Sequence, residues 1–187
     1  MINKKKIAVF FGGRSPEHDV SVITGLQILQ ALDVTLYEPI AVYIDLDGKW
    51  YIGDALNKRE SFIPDAAAKI KLTEVTIDIS GERGGKLLPK KQPLFGQAKP
   101  ISFDVAIPAF HGLYGEDGNI QGLFELANIP YAGMRTKASS LLMDKVTSKY
   151  LFESLGIPTL PCAATMISTA VRTGRLPAYC SWVGSAT

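Results

Sequence analysis

Cysteine and histidine are the scarcest reactive residues of this 187-residue chain, with two of each: Cys162 and Cys180, His18 and His111. Two cysteines supply neither a disulfide framework nor the paired spacing of a zinc site, so a reducing, cytoplasmic setting is expected. The histidines stand far apart, with no H-x-x-x-H pattern, and give no zinc-ligand set. Long apolar runs are missing too. The stretch from Ile7 to Phe11 is cut by Gly12-Gly13, far short of the ~20 residues a bilayer span needs and too short for a signal-peptide core behind Lys4-Lys5-Lys6. Neither export nor a membrane partner is expected. The net charge is only +2, with lysines and arginines scattered, so no nucleic-acid partner is expected either. What is present is an ordinary globular balance, 47% hydrophobic and 20% charged, enough for one well-cored domain and the start of a second.

The pattern along the chain alternates strands and helices. Residues 6–11 are continuously apolar and β-branched or aromatic, as in a strand buried on both faces. Gly12-Gly13 ends it, Ser15 suits an N-cap and Pro16 a first helical position. Val20, Ile23, Leu26, Ile28 and Leu29 then mark one helix face. Tyr37 to Ile44 reads as a second strand, and Asp47-Gly48 as a hairpin turn into Lys49 to Ile52. Thr73 to Ile79 alternates like a strand, whereas Gly81 to Pro93, rich in glycine, proline and lysine, reads as a surface excursion. Phe103 to Phe110 is another apolar strand, followed by a glycine-punctuated loop and a helix to about Ala127; 129–133 is a short strand. A longer helix is expected to bury Leu141, Leu142, Val146, Tyr150, Leu151 and Leu155 and to stop at Gly156. Thr159 to Ala163 suggests one more strand. These elements define an α/β fold with a mainly parallel sheet and helices on both faces. Ligands of such sheets bind beyond the carboxyl ends of the strands. The loops after Phe11 and Phe110 are therefore the candidate site, and they contain both histidines.

The first loop, from Gly12 to Ser21, is neither a Walker A sequence nor a G-x-G-x-x-G fingerprint. Glu17 reads in two ways: as an acidic complement to the helix dipole, or as a carboxylate offered to a ligand ammonium through a charge-assisted hydrogen bond. His111 is either a loop histidine bonded to a nearby carbonyl or a ligand contact at a strand end. Glu116 and Asp117 have a simpler task as cap or dipole partners of the helix beginning near Asn119. Lys145, in Met143-Asp144-Lys145, is either a solvated helix lysine or a point charge for a phosphate.

Four stretches recur together: Phe11 to Ser21 with Glu17 at its centre, Pro108 to Gly122 with His111, Ile129 to Gly133, and Met143-Asp144-Lys145. In this order and spacing they resemble the D-alanine–D-alanine ligases of the ATP-grasp superfamily, over about residues 5 to 162. A flavodoxin-like binding domain would satisfy the periodicity without explaining the ordered series. The resemblance implies a pre-ATP-grasp, Rossmann-like domain over 1–135, the helix and start of the central ATP-grasp domain over 136–163, and a divergent tail over 164–187 without clear period. It implies ATP- and Mg²⁺-dependent formation of D-alanyl-D-alanine for peptidoglycan, through an acyl-phosphate attacked by the second amine. By motif, Glu17 would hold the first D-alanine's ammonium, Val20 would shape that pocket, His111 would lie beside the substrate, and Lys145 would reach the ATP phosphates. Leu142 stands where the family often has serine. The phosphate-binding loops and metal ligands of the ATP-grasp lobes find no match in the chain, so the polypeptide alone is expected to be inactive. A non-catalytic binding fragment and a relative with a different second substrate stay open as alternatives. A homodimer is what the family suggests.

Overall fold

The computed structural model describes residues 4–62, 72–91, 99–160, 163–166 and 180–183. The chain divides into two compact units, Met1–Ser140 and Leu141–Thr187.

In the first unit the apolar run becomes β1 (Lys5–Gly12), buried from Ile7 onward. It lies parallel to β2 (Tyr37–Ile44) on one side and to β7 (Val105–Pro108) on the other. Helix α1 (His18–Ala31) supplies the crossover from β1 to β2, the length of connection that parallel neighbours require. The next connection is a tight turn. Gly48, at φ +82°, donates its N–H to the Asp45 carbonyl at 3.0 Å, and the chain returns antiparallel as β3 (Trp50–Ile52), as Asp47-Gly48 predicts.

Three further strands, β4 (Thr73–Ile77), β5 (Gly85–Pro89) and β6 (Ile101–Phe103), continue the antiparallel pairing. The sheet order is β6-β5-β4-β3-β2-β1-β7. The α/β class and the helices on both faces stand. The expectation of a mainly parallel sheet is corrected to a mixed one, parallel only across β2-β1-β7. The excess comes from the segment read as a surface excursion, because Gly85–Pro89 is a strand. Gly85 lacks a side chain so that the Phe103 ring can pack there, where a Cβ would fall 1.9 Å from its Cζ, and Leu87 is wholly buried. The expected strand from Phe103 to Phe110 is likewise two strands broken at Asp104, whose backbone N–H donates to the Lys6 carbonyl and whose carboxylate accepts from the Lys6 N–H, each at 2.8 Å. Because only Asp104 separates β6 from β7, the two ends of the strand order are drawn together.

The side-chain alternation of β1 divides the core. Ala8 and Phe10 face a cluster with Val42, Val75, Leu87 and Phe103 and with Ile120 and Phe124 of α2 (Asn119–Leu126). The ring of Phe10 lies 5.0 Å from Phe124 and 5.6 Å from both Trp50 and Phe103. Ile7, Val9 and Phe11 face the opposite cluster with Val22, Leu26 and Leu29 of α1 and with Leu56. Fully burying one such aromatic ring is worth about 1.5–3 kcal/mol, so β1 anchors both layers.

Helix α1 buries His18, Ser21, Val22, Gly25, Leu26 and Leu29, whereas Val20 and Ile23, expected on the inner face, remain 49% and 48% exposed. Gly25 explains the rotation: it lies against Phe11 so closely that a Cβ would fall 2.4 Å from Cγ. The helix also starts later than Ser15 and Pro16 suggest. Ser15 instead forms a turn, its Oγ accepting the Glu17 N–H and its carbonyl the His18 N–H, both at 3.1 Å. The short strand expected over 129–133 reduces to one parallel bridge between Ala106 and Tyr131. Behind it, Glu125 accepts hydrogen bonds from Tyr131 Oη at 2.8 Å and from Arg135 Nε and Thr136 N at 3.3 Å, which hold its carboxyl down to about 2.

The long helix expected around Met143 is two helices, α3 (Thr136–Met143) and α4 (Lys145–Ser154). Asp144 causes the break: its Oδ1 accepts the Thr147 N–H at 2.6 Å and caps α4. Leu142, Tyr150, Leu151 and Leu155, expected to be buried, are exposed by 40%, 65%, 36% and 65%. Gly156, at φ +70°, ends α4 as expected. In the second unit β8 (Ala163–Met166) pairs antiparallel with β9 (Cys180–Val183), so the tail without readable period contributes a strand.

Candidate functional site

The two loops singled out in the sequence leave the carboxyl ends of β1 and β7, which are hydrogen-bonded neighbours. One buried hydroxyl joins them. Ser21, wholly buried on α1, accepts the Gly12 N–H at 2.8 Å and donates to the Ala109 carbonyl at 2.8 Å. The backbone adds two ties, Gly13 N–H to the Ile44 carbonyl and Ala109 N–H to the Phe10 carbonyl, each at 2.8 Å.

His18 fixes the first loop from beneath. Its Nδ1 lies 2.7 Å from the Gly13 carbonyl, which can only accept, so Nδ1 carries a proton. Nε2 then accepts, in the neutral ring, from Tyr43 Oη at 3.1 Å. Burial, followed by the negative charges of Asp45 and Asp19, pushes the Tyr43 hydroxyl up to about 12. His18 is thus a framework group, a task that its position beside Glu17 did not disclose.

Glu17 stands at the N-cap position of α1 without capping it through its side chain, and it is exposed. Its carboxylate therefore makes no capping hydrogen bond, and at this position it complements the helix dipole while its oxygens stay open to a ligand. The second loop approaches it closely. Gly112 has φ +71°, and a Cβ there would lie 3.0 Å from Glu17 Oε1 and 2.7 Å from Ser15 Oγ. Only glycine combines that backbone angle with that approach. The loop holds its own shape: Glu116 Oε2 accepts the Gly112 N–H at 2.8 Å, while Asp117 accepts from Tyr114 N at 2.8 Å and Asn119 N at 3.1 Å. Glu116 and Asp117 are thereby committed to backbone partners. His111, half-buried, lies with Nε2 2.9 Å from Thr24 Oγ1, and that hydroxyl also donates to the Val20 carbonyl at 3.1 Å. Glu17, Val20 and His111 thus belong to one pair of loops and the first turns of one helix.

A cleft of about 500 Å³ is lined by Gly13 and Arg14 of the first loop, Phe110 and Tyr114 of the second, and Trp50, with the Arg14 guanidinium 4.8 Å from the centre of the Tyr114 ring. A larger hollow of about 640 Å³ is at the opposite end of β1, among Lys4, Lys5, Lys6 and Asp104. Neither is lined by Glu17, Val20 or His111, which form an open surface between two loops.

Lys145 belongs to the second unit. It is the first residue of α4, exposed, with no hydrogen-bond or ion-pair partner among the described residues. Such a lysine suits one phosphate contact of ATP. Among the described residues, no group of three or more His, Cys, Asp or Glu gathers to hold a metal. The fit to an ATP–Mg²⁺ pair is therefore partial. Among the described residues, no helix is long and apolar enough to cross a membrane.

The loops after β1 and β7 thus bring Glu17, Val20 and His111 to one end of an α/β domain, beyond the carboxyl ends of adjacent parallel strands, which is where ligands of such sheets bind. Residues 6–134 match the family model described as the D-ala D-ala ligase N-terminus. The chain belongs to that family. It is 36% identical over 168 residues to the D-alanine–D-alanine ligase of Listeria monocytogenes serotype 4b, covering 88% of this chain and 44% of the relative. It is 39% identical over 162 residues to that of Staphylococcus epidermidis, covering 86% and 41%. Among solved structures, the D-alanine-D-alanine ligase from Coxiella burnetii superposes with a TM-score of 0.75 at 29% identity, over 89% of this chain and 46% of that one. The VanG D-Ala:D-Ser ligase from Enterococcus faecalis does so with 0.71 at 29%, over 88% and 46%. The chain thus spans less than half the length of these relatives.

Proposed function

We propose that this chain provides the first-substrate side of an ATP-dependent ligase that joins two D-alanines into the dipeptide used in peptidoglycan. The observation that carries the reading is the Glu17 carboxylate, which makes no capping hydrogen bond and is set against Gly112 of the His111 loop. An ammonium placed there gains a charge-assisted hydrogen bond, about twice as strong as a neutral one. His111 and Val20 would bound the same substrate, orienting its carboxylate toward the phosphoryl donor. ATP supplies, when bound, the phosphoryl group that activates that carboxylate, and Mg²⁺ offsets its charge. Lys145 would contribute one cationic contact to the phosphates. The reading assigns these 187 residues the binding and orientation of the first amino acid, and leaves the choice of second substrate to other residues.

Isothermal titration of the purified chain with D-alanine and L-alanine tests it. Saturable binding of D-alanine, preferred over L-alanine and weakened at least tenfold, about 1.4 kcal/mol, by Glu17→Gln, is the expected result. Equal binding of both enantiomers, or no effect of Glu17→Gln, would overturn it.

A further inference from the structure

Thr24 links helix α1 to the loop after β7 through its hydroxyl. It lies one turn after Val20 on α1, and its hydroxyl has a single proton. That proton is directed at the Val20 carbonyl, 3.1 Å away. The same oxygen lies 2.9 Å from His111 Nε2; with its proton given to the Val20 carbonyl it accepts there, and Nε2 is then the nitrogen that donates. In the neutral imidazole this leaves the lone pair on Nδ1, which has no hydrogen-bond partner among the described residues. His18 shows the opposite arrangement, with its proton on Nδ1 facing the Gly13 carbonyl. On this assignment the two histidines of the chain carry opposite tautomers, each set by its own partner.

We infer that Thr24 is a positioning residue. It holds His111 as the Nε2–H tautomer and so presents Nδ1 as an acceptor for the amino-acid substrate's ammonium, alongside the carboxylate of Glu17. This rests on the substrate reading given above. The ammonium has three protons to place, and Glu17 alone, at an exposed position, leaves some of them to water. A ring in the other tautomer would turn an N–H toward the cation and repel it. Thr24 reaches Val20 and His111 with one oxygen, so it also couples the start of α1 to the loop after β7.

Two-bond ¹H–¹⁵N correlation spectra of the full 187-residue chain, recorded at a pH where the ring is neutral, report the tautomer directly. Wild-type His111 is expected to show a protonated Nε2 and an unprotonated Nδ1. Thr24→Val, which keeps the shape and removes the hydroxyl, should give a mixture of tautomers and bind D-alanine about fivefold to tenfold more weakly. Thr24→Ser should restore both readouts to within about twofold. Backbone amide spectra check that each variant is folded. His111 keeping its wild-type signature in folded Thr24→Val, or wild-type affinity in a variant whose tautomer has shifted, would overturn the inference. If the tautomer responds as stated but the wild-type chain binds no D-alanine, the substrate reading fails while the hold of Thr24 on the ring stands.

Discussion

Replacing Ser21 by alanine should loosen both candidate loops at once. Its Oγ is the acceptor for the Gly12 N–H and the donor to the Ala109 carbonyl, each at 2.8 Å, and the side chain is wholly buried, so water cannot easily take its place. Ser21→Ala leaves one N–H and one carbonyl without this partner. A buried polar group left unsatisfied costs about 1–3 kcal/mol, and a carbonyl with a second lone pair falls at the low end of that range. The expected loss is therefore about 2–4 kcal/mol, a large part of the ~5–15 kcal/mol that holds a typical domain together. With a urea m-value of about 2 kcal/mol/M, the midpoint followed by far-ultraviolet circular dichroism should fall by roughly 1–2 M. Hydrogen exchange localises the effect: the Gly12 amide should lose protection beyond the global loss. A midpoint shift below about 0.25 M, equivalent to some 0.5 kcal/mol, or wild-type protection at Gly12, would refute the idea that this hydroxyl joins the strand ends.

Other substitutions probe the frame and the function. Gly25→Ala places a Cβ 2.4 Å from Phe11 Cγ, in a core where α1 has no room to retreat without disturbing β1; overpacking of this kind should destabilise by about 1–3 kcal/mol in urea unfolding, and a neutral result would mean that α1 is not seated as described. Tyr43 should ionise at about 12, against an ordinary 10, visible as the phenolate absorbance missing from Tyr43→Phe. Because its folded value is raised, the associated stability is fully present below pH 10 and lost as the pH climbs toward about 12; an ordinary midpoint would contradict its burial against His18. Phosphate release from ATP by the purified chain, with D-alanine and Mg²⁺, should not exceed that of Glu17→Ala, since only the first-substrate side is assigned to these residues. Turnover abolished by Glu17→Ala would show that the chain also holds ATP productively.

The residues that announce themselves by apolarity led to the right elements. The run before Gly12-Gly13 is the strand buried on both faces, and Asp47-Gly48 makes the hairpin turn. Small and polar residues hid the rest. Ser21 and Gly25 form the innermost line of α1, yet neither registers as a core residue by hydrophobicity, so the apolar period points to Val20 and Ile23, which face out. Gly85, Lys86 and Pro89 made β5 resemble a loop, because its fit depends on the Phe103 ring filling the space over Gly85. Asp144 sits inside an apolar period that spans both helices, although an aspartate three residues before Thr147 is a capping signal. For the candidate site, the motifs single out Glu17, Val20 and His111 as candidates, and the pairing of β1 with β7 brings their loops together. The residues that position them, Ser21, Thr24 and Tyr43, act through pairings across 88, 87 and 25 residues of chain, which local spacing does not encode.

The most direct test of the central claim is a ¹⁵N chemical-shift titration of the chain with D-alanine, using L-alanine and the Glu17→Gln variant as comparisons. The account predicts saturable shifts concentrated at Glu17, Val20, His111 and Gly112, smaller with L-alanine and lost in Glu17→Gln. Shifts gathered instead around Arg14, Trp50 and Tyr114, or the same shifts in Glu17→Gln, would place the amino acid elsewhere and contradict it.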